Sequence, residues 1–399
     1  EIYTLSLHDA LPISIVVSGE KTWDDNDNQD GKRPEKITVI LKKTVDGKTS
    51  EVTRKDVTPD TDGKWKYEFA DLPLYEGGKP IEYSIDEAKV DGYDKVKTRT
   101  TNGPDYNLTN KHTPETVDVK GEKTWDDANN QDGKRPTSIK VKLIKKVGDK
   151  APEVVETKEV TKGADDKWKY EFKGLPKYEK GKEITYFIDE EKVEGYEKEI
   201  TGYNLKNKYT PGKTSVQVTK AWEDKNNQDG VRPASVTIRL IADGVATDKT
   251  LTLTKDNNWT GSFTDLDEYK AGKKIEYTVK EETVGNGYES KVTGSAKEGF
   301  TVTNTREPEK TFVEGSKTWE DANNQDGKRP KEIKINLLKN GKVLETKTVT
   351  EKDGWKWKFE NLDKYEKGEV INYTITEEQV EGYTTVVTGH NVKTMEIGR

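Results

Sequence analysis

The 399-residue sequence contains no cysteine, one methionine, three histidines and seven phenylalanines. Without cysteine there is no disulfide to staple a small domain and no thiol nucleophile. Three histidines alone leave no zinc ligand set, and no metal or cofactor is expected. No apolar run approaches the ~18 residues that would span a bilayer as a helix. Hydrophobic residues make up 30% of the chain and charged ones 36%, so any domain here holds a slim core. The 68 Lys+Arg stand against 75 Asp+Glu, a formal charge of −7. An acidic balance with interspersed lysines argues against nucleic acid and against an anionic membrane face as partners. P-loop, Rossmann glycines and hydrolase nucleophile elbow are all missing, which excludes the common turnover enzymes.

What the chain has is repetition. KTWDDNDNQDGKRP at residues 21–34 returns as KTWDDANNQDGKRP from Lys123, KAWEDKNNQDGVRP from Lys220 and KTWEDANNQDGKRP from Lys317. The starts lie 102, 97 and 97 residues apart. That period exceeds the roughly 20–50 residues of a solenoid repeat and fits one small domain per copy. The expected domains are 15–112, 113–209, 210–306 and 307–399, the last cut short where its closing strand should be. Residues 1–14, EIYTLSLHDALPIS, match nothing in the other copies. They read as a non-native leader, similar to the translation of a sequencing adapter, and the terminal EIGR reads as its counterpart.

Within a copy the pattern is β throughout. In the first, residues 15–23, 37–41, 51–58, 65–69, 81–87, 93–101 and 106–110 alternate or run apolar between turn residues. No segment has a 3.6-residue apolar period. Seven short strands with frequent turns indicate an all-β sandwich. HTPE (112–115), YTPG (209–212) and REPE (306–309) join the copies. Proline-containing joints swing less than Gly/Ser linkers, so the expectation is a monomeric, elongated rod of four domains.

Strand parity places three polar groups on apolar faces. Lys21 shares a face with Val17 and Trp23, as do Lys123, Lys220 and Lys317 with their own Val and Trp. Glu87 shares one with Tyr83 and Ile85, and Glu190, Glu281 and Glu377 hold the same place. Asn110 shares one with Tyr106 and Leu108, Asn207 with Tyr203 and Leu205, and Asn304 with Phe300 and Val302. Each group costs several kcal/mol if buried unpaired. One reading is a buried Lys–Glu ion pair capped by the Asn. The other is chemistry. Burial favours the neutral amine and the protonated carboxyl. A neutral amine held against a carboxamide carbon can displace ammonia, leaving a Lys–Asn isopeptide bond, with the acid as proton relay.

The combination K-[TA]-W-[DE]-D…N-Q-D-G-x-R-P, then Y-x-[IV]-x-E, G-Y and T-N-K-Y-T-P, resembles the Cna B-type repeat domains of Gram-positive cell-wall-anchored surface proteins. The likeness covers residues 15–393 in four copies. It implies prealbumin-like, reverse-immunoglobulin sandwiches that form the isopeptide spontaneously. The cross-link would join Lys21 to Asn110, Lys123 to Asn207 and Lys220 to Asn304, with Glu87, Glu190 and Glu281 as catalytic acids. The fourth copy has Lys317 and Glu377, but Thr394 stands where the Asn belongs, so this site is incomplete. Lys206 precedes the Asn in the second copy and points outward by parity.

Two other signals are weaker. The Asp/Asn turn invites calcium, but Asn26 and Ala128 fall at the first EF-hand position and no Glu follows at the twelfth. Arg33 is instead free to bind the turn carboxylates. The nine tryptophans invite glycan stacking, yet Trp23 and its copies have core parity. The function implied is the structural stalk of an extracellular, cell-wall-anchored adhesin, with peptidoglycan attachment and a host-matrix-binding head outside the sequence. Alternatives are repeats that bind a host extracellular-matrix protein themselves, or a spacer in a large secreted enzyme.

Overall fold

The structure, a computed structural model, describes residues 14–98 and 106–398. The leader up to Ile13, with the expectation that Leu11 and Ile13 pack against nothing, lies outside the described residues. Ser14 does not belong with that leader: it opens the first strand, opposite Pro73. Two compact units divide the chain, residues 1–130 with 134–210 and residues 131–133 with 211–399.

The first domain contains β1 (Ser14–Asp24), β2 (Ile37–Val45), β3 (Lys48–Val57), β4 (Trp65–Pro73), the short pair β5 (Tyr75–Glu76) and β6 (Lys79–Pro80), β7 (Glu82–Glu87), β8 (Asp94–Thr98) and β9 (Asn107–Lys111). One sheet has the order β4-β1-β9-β8 and the other β3-β2-β7. Every pairing is antiparallel except the central one, where β1 and β9 run parallel. The first and last strands of the domain are therefore neighbours. Between the sheets lie Val17, Val39, Leu41, Ile85 and Leu108, all fully buried. The alternation read from the sequence generates this core, because successive side chains of a strand point to opposite faces. The other three copies repeat the two-sheet plan, and the all-β sandwich expectation holds.

A cross-strand exchange of bulk keeps the first sheet closed. Gly19 faces Tyr67, Gly121 faces Tyr170 and Gly315 faces Trp357. A Cβ on Gly19 would sit 2.1 Å from the Tyr106 carbonyl oxygen, so the last strand approaches too closely for any side chain. In the third domain the pair is inverted to Val218 opposite Gly261. There the last strand, Gly299–Thr305, starts earlier and pairs Phe300 with Val218.

The loop after β1 is built by three consecutive left-handed residues, Asn26, Asp27 and Asn28, with φ of 49°, 58° and 60°. Asn and Asp tolerate that region better than other residues with side chains. The Asp25 carboxylate accepts the Asn28 N–H at 3.0 Å and is clamped by Arg33 through Nε (3.0 Å) and Nη2 (2.6 Å). Tyr93 donates its hydroxyl to the same carboxylate at 2.8 Å. The same Arg–Asp clamp recurs at Arg135–Asp127, Arg232–Asp224 and Arg329–Asp321. This is the arginine role expected from the turn.

Three expectations need correction. The fourth domain does not run out: Asn391–Glu396 forms its closing strand, parallel to Lys310–Glu320 and antiparallel to Tyr383–Thr388. Tyr203 is not on the apolar face with Asn207. It precedes the strand Asn204–Lys208 and is 37% exposed, because the closing strand of that copy begins one residue after it. The short β5–β6 pair, repeated in each domain, carries no apolar alternation and was not anticipated.

Candidate functional site: a buried lysine, glutamate and asparagine

Parity on three separate strands converges on one spot. Lys21 and Trp23 lie on β1, and Trp23 is the register partner of Asn110 on the parallel β9. Glu87 ends β7 in the opposite sheet and reaches across the core. Lys21 is 2% exposed, Glu87 4% and Asn110 1%. The Lys21 amine stands 3.3 Å from Glu87 Oε1 and 4.4 Å from the centre of the Trp23 ring. Lys21 Nζ, Glu87 Oε1 and Asn110 Oδ1 lack hydrogen-bond partners, an unusual concentration of unmet polarity in a core.

The second and third domains repeat the arrangement with differences in detail. Lys123 Nζ is 2.5 Å from Glu190 Oε1, and Asn207 lies two residue pairings along, opposite Trp125. Lys220 Nζ stands 3.7 Å from Glu281 Oε2 and donates to the Ala221 and Val302 carbonyls at 3.2 Å each. Asn304 donates through Nδ2 to Glu281 Oε1 at 3.0 Å, which turns the carboxamide towards the acid. Asn207 Oδ1 and Asn304 Oδ1 are buried without partners, as in the first domain.

In the fourth domain Thr394 fills the asparagine's place and is completely buried. Lys317 contacts both Glu377 and the Thr394 hydroxyl, and that hydroxyl donates to Glu377 Oε2 at 3.1 Å. Here the polar groups satisfy one another, and there is no carboxamide to attack.

Burial lowers the affinity of each lysine for its proton. Lys21 and Lys220 fall to about 8, desolvation outweighing the attraction of Glu87 and Glu281. Lys123 and Lys317 are lowered for the same reason, against the hydrogen bonds they donate to Glu190 and Glu377. Burial thus makes the neutral, nucleophilic amine easier to reach, and the lysine lies beside an acid with, in three domains, an asparagine on the neighbouring parallel strand.

Two participants were not anticipated. The Trp23, Trp125, Trp222 and Trp319 rings each lie 4.0–4.4 Å from the lysine amine, so they wall the site as well as filling core. The only sequence signal was the constant K-x-W spacing, which parity explained equally well as packing. The residue paired with the Asn from the neighbouring strand also matters: Lys95, Lys198, Ser290 and, opposite Thr394, Thr385. Ser290 donates to Glu281 Oε2 at 3.0 Å and Thr385 to Glu377 Oε2 at 2.7 Å. Lys95 instead bonds the Glu87 backbone carbonyl at 3.0 Å.

The fold and site define a class: tandem β-sandwich modules with parallel first and last strands and a buried Lys–Glu–Asn set. The Cna protein B-type domain matches four times, at residues 17–111, 119–208, 216–305 and 313–397. The chain belongs to this family. It is 44% identical over 467 aligned positions to a collagen adhesin of Staphylococcus aureus, covering 94% of this chain and 38% of that protein. The chain thus spans well under half the length of this relative. Among solved structures it is similar to two B repeat units of the S. aureus collagen binding protein, at 40% identity, 96% and 99% coverage and a TM-score of 0.42. A single B repeat unit of the same protein matches at 46% identity over 49% of this chain and 100% of that one, with a TM-score of 0.24.

Proposed function

We propose that this chain is a stalk segment of a bacterial cell-surface adhesin, made resistant to load and heat by intramolecular Lys–Asn isopeptide bonds in its first three domains. The observation that carries the reading is the threefold burial of a lysine amine beside a glutamate and an asparagine carboxamide. In each reaction a proton passes from the ammonium to the glutamate, and the neutral Nζ then attacks the asparagine Cγ. The glutamic acid gives its proton to the departing Nδ2, the Cγ–Nδ2 bond breaks and one ammonia leaves, and the carboxylate takes up the proton that Nζ loses. The amine plus protonated carboxyl is a tautomer of the ammonium–carboxylate pair, so the site needs no external acid or base. Glu87, Glu190 and Glu281 act as catalytic acids. The chemistry occurs once per domain and is not turnover.

The mechanical consequence follows from topology. Force entering at β1 and leaving at β9 is borne by adjacent parallel strands, and a Lys21–Asn110 bond would tie those strands directly. The cross-link closes a loop running from residue 21 to residue 110, worth about 4.5 kcal/mol in the chain-entropy treatment of disulfides. In a cysteine-free domain with a slim core it supplies the staple, and reductants cannot cleave it. The adhesin named as a relative suggests that a separate head binds a host matrix protein, while anchoring to peptidoglycan uses regions beyond these residues. The setting is the extracellular face of the cell wall.

The test is Glu190→Ala in the full chain. It should leave the second domain uncross-linked, so that the intact mass rises by one ammonia and that domain melts at lower temperature. An unchanged mass with a folded second domain would remove Glu190 from the reaction.

A further inference from the structure

Three of the four strands that meet at each buried set carry the lysine, the glutamate and the asparagine. The fourth is the edge strand beside the asparagine, and the residue it places directly opposite differs between copies. Lys95 pairs with Asn110 and Lys198 with Asn207, but Ser290 pairs with Asn304 and Thr385 with Thr394. The residue before each glutamate changes in step: Asp86 and Asp189 in the first two domains, Lys280 and Thr376 in the others. The four copies therefore hold two versions of the same corner.

In the first version the edge lysine grips the glutamate by its main chain. Lys95 bonds the Glu87 carbonyl at 3.0 Å and the Asp86 carboxylate, and Lys198 bonds the Glu190 carbonyl at 2.9 Å and the Asp189 carboxylate. In the second version a hydroxyl grips the carboxylate itself. Ser290 is exposed on the edge strand, yet its hydroxyl turns inward and donates to Glu281 Oε2 at 3.0 Å. Asn304 Nδ2 donates to the other oxygen, Oε1, at 3.0 Å, and the Lys220 amine stands 3.7 Å from Oε2. Both oxygens are held, one at the nitrogen that would leave and the other towards the nitrogen that would attack. Thr385 makes the same contact with Glu377 Oε2 at 2.7 Å, without a carboxamide to serve. A hydrogen bond to an ionised oxygen is about twice as strong as one between neutral groups, and a second donor fixes the plane of the carboxylate.

We infer that Ser290 is a positioning residue for cross-linking in the third domain, its hydroxyl holding Glu281 in the orientation that serves both Lys220 and Asn304. The role exists only if the isopeptide reaction proposed above takes place, and it makes the third linkage depend on a residue that the first two lack. Glu281 has to take a proton on the amine side and give one up at Nδ2, so a rotation of its carboxylate that favours one nitrogen loses the other. The anchor of the first two domains cannot replace the hydroxyl, because position 280 is an exposed lysine where they have an aspartate. A catalytic group displaced by about 1 Å costs on the order of 100-fold in rate. Losing one of the two donors that hold Glu281 should cost at least about tenfold.

The test starts from the full chain kept unfolded in urea from its synthesis and folded by dilution. Samples are digested over time, and the linked Lys220–Asn304 peptide is measured against the linked Lys123–Asn207 peptide as an internal clock. Ser290→Val and Ser290→Ala remove the hydroxyl, whereas Ser290→Thr keeps it in the shape of valine. Val and Ala should each slow the third linkage at least about tenfold relative to the second, and Thr should hold it within about threefold of the parent. Alanine adds no bulk, so it reports even where valine disturbs folding. A residue that served strand packing alone would be replaced as well by Val as by Thr. A parental rate in either hydroxyl-free variant, or equal slowing in Thr and Val, would overturn the inference. A parent chain that forms no linked peptide in any domain would instead overturn the isopeptide reading, and the role of Ser290 with it.

Discussion

Thr394→Asn should give the fourth domain the cross-link it lacks. Everything else is in place there: Lys317 is buried against Glu377, its amine 4.0 Å from the Trp319 ring. Thr394 pairs with Trp319 across the parallel strands, as Asn110 pairs with Trp23. The new bond would close a loop from residue 317 to residue 394, worth about 4.5 kcal/mol by the entropy relation. Against this, the larger side chain costs up to about 3 kcal/mol of overpacking in a fully buried position. The net gain of at least ~1.5 kcal/mol should raise that domain's melting temperature by at least about 6 °C for a domain of this size. Scanning calorimetry reads the shift and intact mass spectrometry reads the chemistry, as one additional ammonia lost. The control is Thr394→Asn with Lys317→Met, which carries the packing cost without a nucleophile and should melt below the parent. A folded Thr394→Asn chain with an unchanged mass would refute the claim that lysine, acid and carboxamide are sufficient.

Two further predictions rest on ionisation. Because the reactive amine–acid pair has the same proton count as the ion pair, ammonia release on refolding should be independent of pH just below 8. Above 8, where Lys21 and Lys220 lose that proton, it should fall roughly tenfold per unit; a rate that climbs through pH 8 would indicate a free amine acting without the acid. Arg33→Met should destabilise the first domain by about 3–5 kcal/mol in urea unfolding, since it strips the cation from a carboxylate that is 1% exposed. In the parent, burial would raise Asp224, but Arg232, the Asn227 N–H and Tyr288 outweigh it and hold the group at about 2. For Asp321, the Arg329 hydrogen bond leads the opposing effects and again gives about 2. Folded values below the unfolded ~4 mean that this stability is complete above pH 4 and lost as pH falls towards 2. Acid unfolding should therefore track that window, and a domain indifferent to it would contradict the clamp.

The sequence made the site legible because its fourfold repeat tested strand parity four times over. A single copy with Lys21, Glu87 and Asn110 on apolar faces could be misaligned by one residue. Four copies agreeing on Lys, Glu and Trp, and three on Asn, could not. What remained hidden lies between strands. The Gly19–Tyr67 exchange with Val218–Gly261 joins residues more than 40 apart, and nothing along either strand announces it. The closing strand of the fourth domain was missed because His390 and Thr394 replace the Tyr and Asn that marked it elsewhere, although Val392 and Thr394 still bury. Parity alone places Tyr203 on the closing strand with Leu205 and Asn207, whereas that strand begins only at Asn204; in the third copy it begins at Gly299 and takes in Phe300. The contacts of Asp30 were invisible for a related reason: its partners, His112 and Glu115, belong to the linker and lie more than 80 residues away in the chain.

The central claim is settled most directly by the intact mass of the folded, purified parent chain. Three ammonias fewer than the sequence demands, with peptides linking Lys21 to Asn110, Lys123 to Asn207 and Lys220 to Asn304 after proteolysis, is the predicted result. A mass equal to that of the sequence would make the three buried sets ion pairs capped by an amide, and the covalent account of the stalk would be wrong.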